Sequence, residues 1–115
     1  MIQVTINHDE KRHVSSFEMK GHADFDEHGK DLVCASASTV AFGGVNAMYK
    51  ILKVEPTIQQ DGEGGYLHVT LPADLDEELD SQLQLIVRTM ITQLESIVES
   101  RGSYGQYIQI SYSQM

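Results

Sequence analysis

Apolar and polar residues alternate over residues 2–7, with Ile2, Val4 and Ile6 in one phase and Gln3, Thr5 and Asn7 in the other. A period of two is the pattern of a half-buried β-strand. The charged run 8–12 reads as a turn, and a second strand over 14–20, with Phe17 and Met19 on one face, completes a hairpin. Residues 21–30 carry Gly21, Gly29, two histidines and the acids Asp24, Asp26 and Glu27 with little periodic hydrophobicity, which predicts a mobile loop. From 32 to 52 small and apolar residues fall near helical spacing: Val33, Ala37, Val40, Ala41, Val45, Met48, Ile51 and Leu52. Gly43 and Gly44 in the middle of this buried helix each cost roughly 1 kcal/mol relative to alanine, so either another element packs closely there or the helix bends. Pro56 ends it. Strands over 57–60 and 66–71 follow, joined by the glycine-rich turn 61–65. A helix over 76–101 places Leu79, Leu83, Ile86, Val87, Met90, Leu94, Ile97 and Val98 at steps of three and four, with acids at its start and Gly102 beyond its end. Alternation returns over 107–112 as a last strand. The order strand, strand, helix, hairpin, helix, strand predicts an α+β fold, a mainly antiparallel sheet with two helices packed on one face. A length of 115 residues suits one domain.

Composition narrows the partners. With 41% hydrophobic and 22% charged residues the chain is too apolar for disorder. It holds no run near the roughly 18 consecutive apolar residues that span a bilayer, and its start lacks a basic region followed by an apolar segment, so neither membrane insertion nor export is expected. The single cysteine, Cys34, cannot form an internal disulfide, which points to a reducing compartment and hence the cytoplasm. Seventeen acidic residues against eight Lys and Arg give a net charge of -9. Such a field repels phosphate backbones, which argues against direct nucleic-acid binding and favours a basic peptide or protein segment as partner.

One segment gathers candidate chemistry. If Asp31 caps the helix over 32–52, Cys34 sits in its first turn among unpaired backbone donors, where a thiolate is favoured and an oxyanion can be received. His22, twelve residues earlier beyond a predicted strand, can fold back as its base, with Asp31 or Ser38 as the third group that orients it. Ser38, four residues after Cys34, shares its helix face. Each has a plainer reading: a lone cysteine in an alanine-rich helix is often core, Asp31 only a cap, Ser38 a solvent-facing or back-bonded hydroxyl, and His22 a surface residue. Their convergence favours a cysteine nucleophile. Zinc on His22, His28 and Cys34, helped by Asp24, Asp26 or Asp31, is the competitor, but the spacing matches no closed zinc motif, and no metal or other cofactor is expected. His8, His13 and His68 read as scattered surface positions, and Gly62, Gly64 and Gly65, with no lysine or helix after them, as a hairpin turn rather than a phosphate loop.

The residues Gly21-His22-Ala23 and then Gly29-Lys30-Asp31-Leu32-Val33-Cys34-Ala35-Ser36-Ala37-Ser38 resemble the signature of the bacterial ribosomal-processing cysteine proteases. A looser likeness runs through Asn46-Ala47, the glycine-rich turn and the long second helix. The resemblance implies a homodimeric endopeptidase that removes a short N-terminal extension from a large-subunit ribosomal protein. On it, Cys34 matches the nucleophile, His22 the general base, and Asp31 and Ser38 supporting positions. Gly21, Gly29 and Phe25 fall where substrate would be bound, Phe25 either as a lid residue or as a packed loop anchor. The family's substrates are apolar before the cut and basic after it, in keeping with the acidic balance of this chain. The alternative from another class is a non-catalytic acidic assembly partner that shields a basic ribosomal protein.

Overall fold

Five strands and two helices make up the computed structural model, which describes residues 1–21, 28–61, 65–100 and 107–114, with 28–31 described by backbone alone. In chain order these are β1 (Ile2–His8), β2 (Val14–Lys20), α1 (His28–Leu52), β3 (Thr57–Gln60), β4 (Tyr66–Thr70), α2 (Glu77–Val98) and β5 (Ile108–Gln114). The strands form one sheet in the order β3-β4-β2-β1-β5. Three of its four pairings are antiparallel and β1 with β5 is parallel, so the expected mainly antiparallel sheet is present with one parallel edge.

The period-two pattern determines which face is buried. Registers Val4↔Met19, Ile6↔Phe17, Met19↔Leu67 and Phe17↔Val69 put these six side chains on one face, and all are buried. Ile2 and Ile108 extend the same layer at the parallel edge. A fully buried side chain such as Phe17 contributes roughly 1.5–3 kcal/mol. Both helices cover this face. Helix α1 buries Val33, Ala37, Ala41, Val45 and Met48, and α2 buries Leu83, Val87, Met90, Ile91 and Leu94. The stretch Leu32–Leu52 is long and apolar enough by composition to cross a membrane, yet the side chains just named place one side of it in the core.

The two glycines of α1 behave differently. A Cβ on Gly44 would lie 2.7 Å from Met90 Sδ, so this position lets α2 approach closely, whereas a Cβ on Gly43 would meet nothing within 4 Å. Helix α1 runs unbroken through both.

Several boundaries differ from expectation. Helix α1 begins at His28, so residues 28–30 belong to it and not to a loop; once a helix is nucleated downstream, each added residue gains a hydrogen bond for one residue fixed. Helix α2 starts as expected, with Asp76 Oδ1 accepting from the Leu79 N–H at 2.9 Å. It ends at Val98 rather than 101, because Ser100 donates both its Oγ–H at 2.7 Å and its N–H at 3.2 Å to the Ile97 carbonyl and closes the last turn. Strand β1 takes in His8, and the charged turn after it is organised by Asp9, whose Oδ1 accepts from the N–H groups of Lys11 and His13 while Arg12 takes φ +65°. At the other hairpin Asp61 Oδ1 accepts from Gly65 N–H at 3.1 Å, and Gly62 and Gly64 lie outside the described residues.

Candidate active site

Cys34 lies on α1, half-buried and packed against the edge of the core, a free thiol. It opens into a small cleft of about 80 Å³ at the end of the sheet where β2 and β3 finish and β1 and β4 begin. Ile2, Met19, Lys20 and Gly21 line one side, Gln60, Gly65, Tyr66 and Leu67 another, and Cys34, Ser38 and Phe42 the helix side. These last three are four residues apart and therefore form one stripe along α1, a position away from the buried stripe of Val33, Ala37 and Ala41. The sulfur is thus at a cleft and not sealed in the interior.

Gly21 is held firmly at this cleft. Its N–H donates to the Gly65 carbonyl at 3.1 Å, its φ is +120°, and a Cβ there would stand 2.2 Å from the Met1 carbonyl oxygen. Only glycine meets both conditions. Nearby, the Tyr66 hydroxyl donates to Glu18 Oε2 at 3.0 Å; that bond, with desolvation and the Glu18 charge, holds the phenol above its ordinary range. Lys20 Nζ stands 3.8 Å from the same carboxylate.

Of the residues singled out from sequence, Cys34, Ser38 and Gly21 come together at the cleft. Ser38 sits beside Thr39, and it is Thr39 whose Oγ1 bonds back, to the Ala35 carbonyl at 2.8 Å. Gly29 is the second residue of α1. His22 and Phe25 lie outside the described residues, as do Asp24, Asp26 and Glu27. Asp31 is not a cap. It is the fourth residue of α1, because the helix starts three residues earlier. The unpaired N–H groups of a helix that begins at His28 belong to its first turn, and Cys34, the seventh residue, lies beyond them with its N–H in the helical ladder. The expected placement of the thiol among those donors is therefore replaced by a position one turn further along, exposed sideways into the cleft.

Sequence reasoning missed Phe42, Gln60, Tyr66 and Met19 as cleft residues. Phe42 was legible in principle, since it continues the Cys34, Ser38 spacing by one more step of four; the strand-end residues are brought in only by sheet pairing. Among the described residues no group of three or more metal-ligating side chains occurs. His8, His13 and His68 are half-buried rather than plainly surface, and His13 Nδ1 lies 2.9 Å from Asp80 Oδ2 at the far end of the sheet.

The same fold occurs in proteins already known. Residues 1–109 match the model of the family described as cysteine protease Prp. A ribosomal processing cysteine protease of Bacillus subtilis is 44% identical over 97 residues, covering 84% of this chain and 87% of its own. The essential ribosomal processing protease of Staphylococcus aureus, solved in complex with a substrate peptide, superposes with a TM-score of 0.82 at 37% identity over 97% of this chain and 99% of that one. Its complex with a covalently linked product peptide gives 0.81 at 38% identity with the same coverage. With a family match over almost its whole length, relatives well above 30% identity and a free thiol open to a cleft, this chain belongs to the Prp family of cysteine proteases.

Proposed function

We propose that the protein cleaves a short N-terminal extension from a large-subunit ribosomal protein during ribosome maturation in the cytoplasm, with Cys34 as nucleophile and His22 as general base. The observation that carries this reading is the half-exposed Cys34 sharing one cleft with Ser38 and Gly21. His22 follows Gly21 directly in the sequence. In the reaction His22 takes the thiol proton, the thiolate adds to the scissile carbonyl, and the C–N bond breaks as the imidazolium returns the proton to the leaving amine. Water then hydrolyses the thioester, again with His22 as base. Asp31, three residues before Cys34 on α1, and Ser38, one turn after it, serve as supporting positions; Gly21, Gly29 and Phe25 contact the substrate. Relatives named as ribosomal processing proteases, one of them solved with substrate and product peptides, support the substrate class. Membership of a protease family leaves the non-catalytic assembly partner without support.

Incubation with a peptide spanning the extension should give a single cut by intact-mass spectrometry, abolished in Cys34→Ala. His22→Ala should lose at least about a hundredfold in turnover, the usual scale for a general base, while its thiol still reacts with iodoacetamide at high pH. A cut of equal rate by Cys34→Ala would remove the mechanism.

The homodimer is part of the same proposal. An open groove between α1 and α2, lined by Val40, Gly43, Ala47, Leu85 and Ile86, is largely apolar, with Leu85 64% exposed, and suits a second copy. Sedimentation equilibrium at micromolar concentration should give twice the chain mass; a monomer would refute the dimer and leave the chemistry standing.

A further inference from the structure

Thiolate attack on a carbonyl needs donors for the oxyanion it creates, and the helix start does not supply them at Cys34. As the seventh residue of α1, Cys34 has its own N–H in the helical ladder. Most other donors around the cleft are already taken. Gly21 N–H donates to the Gly65 carbonyl and Gly65 N–H to Asp61 Oδ1, both at 3.1 Å. The backbones of Met19, Lys20 and Leu67 are paired with a neighbouring strand on each side. Lys20 and Tyr66 alternate with the buried Met19 and Leu67, so their side chains leave the sheet on the face away from the helices. There the Tyr66 hydroxyl donates to Glu18 at 3.0 Å, and Lys20 Nζ lies 3.8 Å from the same carboxylate. Two side-chain donors of the cleft remain, Ser38 on α1 and Gln60 on β3, and neither has a side-chain hydrogen bond among the described residues.

Ser38 shares the helix of the nucleophile, whereas Gln60 comes to the cleft from the sheet. It is the exposed last residue of edge strand β3, and it pairs with the buried Leu67, so its side chain projects from the helix-covered face on which Cys34 lies. Its amide carries two N–H donors and no charge. The cleft it shares with Cys34 is only about 80 Å³, so a peptide carbonyl that enters has the sulfur on one side and this amide on another. We propose that Gln60 is a catalytic residue whose side-chain amide donates to the oxyanion formed when Cys34 adds to the scissile carbonyl. This rests on the protease reading above. The thiolate pair makes the C–S bond and the C=O π pair moves onto oxygen; the Gln60 N–H tightens its hydrogen bond to that oxygen and keeps its proton. When the oxygen pair re-forms C=O, the C–N bond breaks and the imidazolium protonates the departing amine. A neutral donor fixed where charge develops stabilises the transition state more than the ground-state carbonyl, so its contribution falls on kcat.

The test uses Gln60→Leu, which removes the donors at similar size, and Gln60→Glu, which keeps the shape and puts an acceptor where a donor stood. Both should lower kcat on the extension peptide roughly a hundredfold with KM within about twofold of wild type, the scale of a lost oxyanion donor. Alkylation of Cys34 by iodoacetamide builds no oxyanion and should keep the wild-type rate. A peptide aldehyde ending at the cut position adds to Cys34 as a tetrahedral hemithioacetal. Its affinity, read as protection of Cys34 from iodoacetamide, should fall in both variants by about the factor lost in kcat. Wild-type kcat or unchanged aldehyde protection in the two variants overturns the assignment. So does a loss carried by KM alone, which would make Gln60 a substrate contact, or a matching fall in alkylation rate, which would make it a partner of the sulfur. The protease reading fails on a different result, cleavage by Cys34→Ala itself, and the aldehyde measurement reads Gln60 whichever way that falls.

Discussion

Gly21 holds a backbone conformation, φ +120°, that side-chain-bearing residues rarely adopt, and the Met1 carbonyl occupies the space a Cβ would need. The residue follows β2, bonds Gly65 across the sheet end and immediately precedes the candidate base in sequence. Gly21→Ala combines backbone strain, about 1–3 kcal/mol, with a contact that only backbone movement relieves. A thermal melt should show Tm lowered by roughly 4–12 °C, and peptide cleavage measured well below that Tm should slow as well. An unchanged Tm would show that the chain end simply moves aside. The glycine itself was visible in the sequence, beside a histidine after an alternating run. What was not visible is the partner that makes it obligatory, the first residue of the chain, which reaches it only because β1 and β2 pair antiparallel with Gln3 opposite Lys20.

Elements were legible where one periodicity dominates. The patterns of β1 and β2 identify their buried sides correctly, since Ile2, Val4 and Ile6 are all in the core and Phe17 and Met19 join them. Helix α2 shows its apolar stripe openly, and its cap is the acid just before it. Boundaries were less legible, for local reasons that periodicity does not carry: the start of α1 is polar, and the end of α2 is set by a serine bonding to Ile97. The shift of α1 matters for chemistry, because it moves Cys34 from a helix start to the second turn and makes its sideways exposure, not the first-turn donors, the feature that presents the sulfur. Sheet order was the least legible. Nothing local announces that β5 returns beside β1 in parallel, where the Tyr112 hydroxyl meets Glu95 of α2. That contact ties the last strand to the helix layer, and desolvation, the bond to Glu95 and the charges of Glu95 and Glu99 push the phenol up to about 12.

At the scale of the whole molecule the charge of -9 is unevenly placed relative to the cleft. Asp9, Glu10, Glu77 and Asp80 gather at the opposite end of the sheet, around His13 and the clamp in which Gln84 Oε1 accepts from Val14 N–H and Nε2 donates to Val14 O. The seven residues of β2 separate that end from the cleft, a span of about 20 Å at 3.3 Å per residue. At physiological salt the Debye length is about 8 Å, so these distant acids contribute little to holding a basic substrate segment at Cys34. The stretch 22–31 is different: it joins Gly21 to Leu32 and carries Asp24, Asp26, Glu27 and Asp31 against Lys30, a net -3 by count. On the function proposed above, a substrate segment that is basic after its cut is attracted by the acids of this stretch together with Glu18 and Asp61, which bond the cleft residues Tyr66 and Gly65. The combined substitution Asp24→Asn, Asp26→Asn and Glu27→Gln should flatten the decline of kcat/KM between about 20 and 300 mM NaCl, a range over which the Debye length shrinks from about 20 to 6 Å. Glu77→Gln with Glu78→Gln removes two charges from the far end and should leave the decline above about 100 mM as it is in the wild type. Equal flattening by the two sets would mean that total charge, rather than the acids of 22–31 in particular, attracts the substrate.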